Sequence, residues 1–171
     1  MNEQAFPKIS VIIPAYNSGE TVTRAVNSAL SQSYPDIEVI VIDDGSSDDT
    51  SERVRQIAEN DERLRLIIKP NGGVSAARND GIMAAQGEWF VTLDADDYID
   101  KEMIEALYEA VIRTDADTVI CGFRMVYDDG KKSVFKVDDD YTDDRDVFID
   151  NMLTDLYDKH MISTHSNQLY N

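Results

Sequence analysis

Cysteine, basic side chains and long apolar runs are all scarce in this 171-residue chain. Cys121 is the single cysteine, so no disulfide forms within the chain. Its place in the apolar run 118–123 makes it a core thiol. A reducing compartment is the expectation. No stretch approaches the ~20 apolar residues a membrane-spanning helix needs. The opening MNEQAFPK has neither the basic nor the apolar region of a secretion signal, so this segment is expected to be cytoplasmic. Lys and Arg number 16 against 34 Asp and Glu, a formal charge of −18. Such a surface repels nucleic-acid phosphates and anionic lipid. It repels a free nucleotide diphosphate equally, unless a cation or local basic groups intervene. Two nucleotide fingerprints are also missing. Gly19 is the only glycine between Ile13 and Val22, which excludes the dinucleotide-binding spacing, and no GxxxxGK[ST] occurs. A dehydrogenase and a P-loop NTPase are thereby set aside.

What is present suits one globular domain over residues 1–171, with 42% hydrophobic and 29% charged residues. Residues 8–14 (KISVIIP) form a continuously apolar, β-branched run of the kind buried on both faces of a sheet, and Pro14 is expected to stop it. After the turn residues AYNSGE, apolar positions recur at helical spacing from Thr21 to about Gln32. The unit repeats: strand 38–42, loop 43–48, and a helix to about Asn60 with Asp48 or Asp49 as its N-cap. A third strand, 64–68, leads through PNGG to a helix over 75–85 that Gly87 ends, with Ala76, Ala77, Ile82 and Ala85 as its apolar face. The run 89–93 reads as a fourth strand, and a helix over 101–114 follows with Met103, Ile104, Leu107, Val111 and Ile112 inward. Strands alternating with helices across short loops predict a doubly wound, mostly parallel α/β sheet. Beyond Asp117 the pattern changes: 118–127 and 131–137 read as a hairpin around the turn 128–130, then an acidic loop 138–146, a helix 147–156, and a short strand near Leu169 and Tyr170. His160 and His165 read as ordinary tail histidines.

The fourth strand ends in Asp94, Asp96 and Asp97 (WFVTLDADD). If extended geometry persists past Leu93, Asp94 and Asp96 share one side, and converging carboxylates call for a cation. Oxygen ligands of this kind suit Mg²⁺ or Mn²⁺, whose shells are completed by water and a substrate's phosphates. In open α/β sheets ligands bind beyond the carboxyl ends of the strands. PAYN, DDGS, NGG and DADD all follow strands, which points to one shared site.

Together the segments SVIIPAYN (10–17), VIDDGSSDDT (41–50), NGGVSAARNDGI (71–82) and GEWFVTLDADD (87–97) resemble the amino-terminal half of a family 2 glycosyltransferase with the GT-A fold. The resemblance runs from about residue 8 to Tyr127 and weakly on to the tail. It implies a UDP-sugar donor and a glycan or lipid-linked acceptor, with cell-surface polysaccharide or glycoconjugate assembly as the setting, at the inner face of the membrane in a full-length protein. By the resemblance Pro14, Ala15 and Tyr16 flank base and ribose, and Asp44 accepts a hydrogen bond from the uracil imide, a donor that cytosine lacks. Asp43 braces its loop. Gly72 and Gly73 let the backbone approach the nucleotide, and Arg78 pairs with Asp44 or with a phosphate. Glu20 either touches the nucleotide or is an exposed first-turn acid. Asp94 and Asp96 become the DxD pair, with Asp96 on the metal and Asp94 reaching it through water or holding sugar hydroxyls, and Asp97 behind them.

The family is inverting and needs a base to deprotonate the acceptor. By the resemblance that base is an acid in a motif expected beyond Asn171, and Asp138–Asp146, Asp155 and Asp158 offer no convincing counterpart. Residues 1–127 are then the nucleotide-sugar-binding half and 128–171 the start of the acceptor half of a longer domain, able to bind donor and poor at transfer. Two other readings stay open: a non-catalytic nucleotide-sugar-binding module, and a Mg²⁺-dependent acid-pocket phosphotransfer domain. The latter ordinarily carries key acids after its first strand, where this chain has PAYN.

Overall fold

The computed structural model describes residues 6–127, 129–136 and 168–170. Its main sheet has six strands in the order β3-β2-β1-β4-β8-β5. These are β1 (Ile9–Ala15), β2 (Ile37–Asp43), β3 (Leu64–Ile68), β4 (Trp89–Thr92), β5 (Thr118–Ile120) and β8 (Gln168–Tyr170). The helices are α1 (Val22–Leu30), α2 (Thr50–Ala58), α3 (Val74–Ala84) and α4 (Met103–Thr114). Strands β1 to β4 are mutually parallel, while β8 runs antiparallel between β4 and β5. The α/β sheet expected from the βα repeats is thus present, as is the short tail strand.

Strands β1 and β2 are buried along their whole length and largely apolar, because both sheet faces are covered there. The odd-numbered side chains Ile9, Val11, Ile13, Val39 and Val41 join the core that holds Val22, Ala25, Val26, Ala29, Val54, Ile104 and Leu107 of α1, α2 and α4. The even-numbered Ile40 and Ile42 pack instead with Ala77 of α3. The α3 face is built from small residues. Ala77 and Gly81 are buried, and a Cβ on Gly81 would stand 2.3 Å from Cγ2 of Ile12. Ile82, expected inward, is exposed, and so is Ile112 of α4.

Several boundaries differ from expectation for reasons of register. Pro14 does not stop β1: the strand continues to Ala15, paired with Asp43. The Leu93 N–H donates to the Ile12 carbonyl, so Ile12, and two residues on Pro14, face β4. The ladder with β4 ends at Ile12, so the N–H that proline lacks has no partner to lose there. Gly87 does not cap α3, whose C-cap is Ala85. It is small because Ser10 and the Lys8 carbonyl lie where its Cβ would stand. The stretch 118–127 is two strands and not one: β5 joins the main sheet, and only β6 (Phe123–Val126) pairs with β7 (Lys132–Phe135), as a separate hairpin with Phe123 stacked on Phe135. Gly122 lies at the break. Cys121 beside it is half-buried, packs against the main core, and burial pushes its thiol up to about 11. The acidic loop, the helix over 147–156 and both histidines lie outside the described residues.

Chain order reverses at β1, from which β2 and β3 lie on one side and β4 on the other. The connections after β1 and β4 therefore flank the crevice where such sheets bind ligands.

Candidate functional site

Four connections leave the carboxyl ends of β1 to β4, and side-chain contacts tie them into a ring. The first is held to the second by Asn17, whose positive φ of 49° turns the chain. Its N–H donates to Ser46 Oγ at 2.9 Å, and its Oδ1 accepts the Ser47 N–H at 2.9 Å. The Ser18 N–H donates to Thr50 Oγ1 at 2.8 Å, and the Gly19 N–H to Asp48 Oδ2 at 3.0 Å. Asp48 also accepts the Thr50 hydroxyl and N–H. That Thr50 hydroxyl bond and the one from Gly19 outweigh burial and hold its carboxyl below the usual range. Asp49 is the N-cap residue of α2, but its side chain pairs with Arg53 and caps nothing.

The second connection is held to the third by Asp44. This carboxylate is 2% exposed and accepts the Gly72 N–H at 2.9 Å and the Gly73 N–H at 2.7 Å, one on each oxygen. Burial alone pushes its pKa up, yet the two backbone donors and the Lys69 ammonium prevail and leave it below the ordinary carboxylate value. Lys69 Nζ stands 3.6 Å from Asp44 and 2.7 Å from Asp80. Lys69, not Arg78, is therefore the cation beside Asp44. Asp43 braces the same turn by accepting the Ser46 N–H at 2.8 Å and the Ser51 hydroxyl.

The third connection is held to the fourth by Arg78, whose Nη2 donates to Asp94 Oδ1 at 2.7 Å, with side chains 19% and 31% exposed. Arg78 Nε is buried without a partner among the described residues. The extended geometry assumed for the acids does not persist. Strand β4 ends at Thr92, and an Asp97 N–H to Asp94 carbonyl bond of 3.0 Å closes a turn over Ala95 and Asp96. Side-chain alternation therefore does not place Asp94 and Asp96 together; Ala95 between them is buried, Asp94 is spent on Arg78, and Asp96 is exposed. Among the described residues the Asp96 carboxylate makes no hydrogen bond or ion pair, while its carbonyl accepts from Arg24 of α1, which closes the ring.

Pro14 and Ala15 are buried at the end of β1, Tyr16 is 53% exposed at the crevice, and Glu20 is exposed. Asn17, Asp48, Lys69 and Arg24 are members of the ring that the sequence reading passed over. No local pattern marks Arg24 or Lys69; the one signal that singles them out is the scarcity of basic residues in a chain of formal charge −18.

The donor set can also be weighed against a divalent ion. Among the described residues no cluster of three or more His, Cys, Asp or Glu holds a metal unaided. An exposed Asp96 carboxylate with no side-chain partner among the described residues nonetheless fits Mg²⁺ or Mn²⁺, which take one or two protein carboxylates and draw their other ligands from water and phosphate.

The family model for glycosyl transferase family 2 matches residues 10–167. The chain belongs to this family. It is 42% identical over 113 residues to the glycosyltransferase GlyG of Streptococcus pneumoniae serotype 4, covering 66% of this chain and 38% of that protein. Among solved structures it is similar to S. aureus TarS 1-349 in complex with UDP-GlcNAc, at TM-score 0.62 and 33% identity over 67% of this chain and 34% of that one. It is also similar to the mannosyltransferase PcManGT from Pyrobaculum calidifontis in complex with GDP-Man and Mn²⁺, at TM-score 0.63 and 27% identity over 69% of this chain and 36% of that one. The fold is the GT-A type that the motifs implied, and the family match tells against the phosphotransfer alternative. The chain spans 34–38% of the length of the first curated relatives it matches. No helix among the described residues is long and apolar enough to cross a membrane.

Proposed function

We propose that this chain is the donor-binding part of an inverting, metal-dependent glycosyltransferase that moves a sugar from a UDP-sugar to a glycan or lipid-linked acceptor. The observation that carries the reading is the ring: four connections at one sheet end, cross-tied through Asn17, Asp44, Arg78 and Arg24. Pro14, Ala15 and Tyr16 form its base-and-ribose wall. Asp44 reads the base. Each of its oxygens already accepts one backbone N–H, and the Lys69 ammonium stands 3.6 Å from Oδ1, so Oδ2 is the freer oxygen for a further donor such as the uracil imide. TarS, seen with UDP-GlcNAc, supports the same choice.

Asp96 would hold Mn²⁺ or Mg²⁺, with Asp94 reaching it through water, and the ion when bound supplies Lewis-acid neutralisation of the departing diphosphate. Lys69 and Arg78 lower the local negative potential of an otherwise repellent surface. In the transfer, the acceptor oxygen forms a bond to the anomeric carbon as the carbon–phosphate oxygen bond breaks. The acceptor proton passes to a base.

Competition titrations with UDP, GDP and CDP in the presence of Mn²⁺ test the reading. UDP is expected to bind at least ~10-fold tighter than CDP, because CDP leaves a buried acceptor without its donor. Equal affinity for the three would overturn the assignment of Asp44.

A further inference from the structure

Arg24 and Ser28 stand four residues apart on one face of α1, a spacing that stacks side chains one above another, and Gln32 follows just beyond the helix end. All three grip the segment that runs on from the Asp94–Asp97 turn. The Arg24 guanidinium donates to the Asp96 carbonyl and lies over the Tyr98 ring, 5.0 Å from its centroid. Ser28 Oγ accepts the Ile99 N–H at 3.2 Å. Gln32 donates to the Asp100 carbonyl at 2.9 Å and accepts the Ile104 N–H at 3.0 Å. Next in the chain, the Ser33 N–H donates to the Lys101 carbonyl at 2.9 Å.

We infer that this polar stripe is a clasp, with Arg24 the positioning residue that fixes the direction of the Asp96 carboxylate. Asp96 is exposed and makes no side-chain bond among the described residues, so nothing but its backbone aims it. Its carbonyl is held by Arg24 alone among the contacts described, with Tyr98 serving as the platform for the guanidinium. A cation this close to a metal ligand would by simple Coulomb repulsion weaken metal binding. The clasp model states that alignment outweighs that repulsion, since residues that orient a ligand are worth ~10–100-fold in metal affinity. The metal consequence rests on the function proposed above; the clasp itself does not.

The test compares the wild-type chain with Arg24→Met and Arg24→Lys. In ligand-free protein, amide hydrogen exchange at Asp97 and Ile99 is expected to speed up in Arg24→Met and to return toward wild type in Arg24→Lys, with an unchanged melting temperature. Unchanged exchange overturns the clasp. With UDP titrated with and without Mn²⁺, the gain in affinity conferred by the metal is expected to fall about 10-fold in Arg24→Met. A gain that is unchanged or larger overturns the positioning role. Should the wild type itself take no nucleotide with Mn²⁺, the proposed function fails and the exchange measurement still decides the clasp. If Arg24→Met does not fold, Tyr98→Leu removes the platform and is read by the same two measurements.

Discussion

The connections after β2 and β4 each carry an acid at the same end of the sheet, and they are built in opposite ways. Asp44 is buried, with both carboxylate oxygens already bonded to the backbone of the next connection. Asp96 is exposed, its carbonyl held and its carboxylate left open. A group that reads a base must be fixed before the ligand arrives, because any freedom left in it costs specificity. A metal ligand can wait for the ion and the phosphates it brings. The difference predicts that substitutions at the first acid damage the fold together with binding, whereas those at the second touch binding alone.

The largest effect is expected at Asp44. Asp44→Ala orphans two buried N–H groups, each worth about 1–3 kcal/mol, and urea unfolding should register the loss. Asp44→Asn is expected to do little better, since its NH₂ must face one of the two backbone donors. Nucleotide affinity should drop with and without metal.

The same carboxylate gives a pH signature. Its folded pKa lies below the unfolded value near 3.8, so its contribution to stability is complete above the unfolded pKa and is lost as pH falls through the folded one. The wild type should therefore lose stability on acidification below about pH 4, and Asp44→Ala should show a shallower fall in that window. A parallel decline in both would detach the pH dependence from Asp44.

A smaller effect is expected at Gly73, which sits at φ +88° with open space around its missing Cβ. Gly73→Ala should cost ~1–2 kcal/mol through backbone strain alone and shift the N–H that Asp44 accepts. Asp96→Ala should leave stability within ~0.5 kcal/mol and abolish only the metal-dependent part of binding. If Asp96→Ala unfolds as readily as Asp44→Ala, the contrast between the two acids collapses.

How far this was legible in the sequence depended on range. The βα units were readable because burial on both faces writes itself as unbroken β-branched runs, and the four loop motifs were readable because each follows such a run. Pro14 misled because a proline's cost depends on whether a neighbouring strand is still paired at that point, which is decided by β4, some 75 residues away. The α3 face misled because Ile82 looked like its anchor, whereas close helix–sheet approach selected Ala77 and Gly81. The partners in the ring were hidden for the same reason. Whether Arg78 meets Asp44 or Asp94, and whether Lys69 is on the surface or beside a buried acid, follows from where strands end and not from local pattern. The adjacency of Asp94 and Asp96 assumed a strand where the chain makes a turn.

The division of labour between the two acids is tested most directly by calorimetric titration of UDP, with and without Mn²⁺, into the wild type and Asp96→Ala. The account predicts a metal-dependent gain in the wild type, no such gain in the variant, and equal metal-free affinities for both. Mn²⁺ tightening UDP binding equally in the two proteins would contradict it.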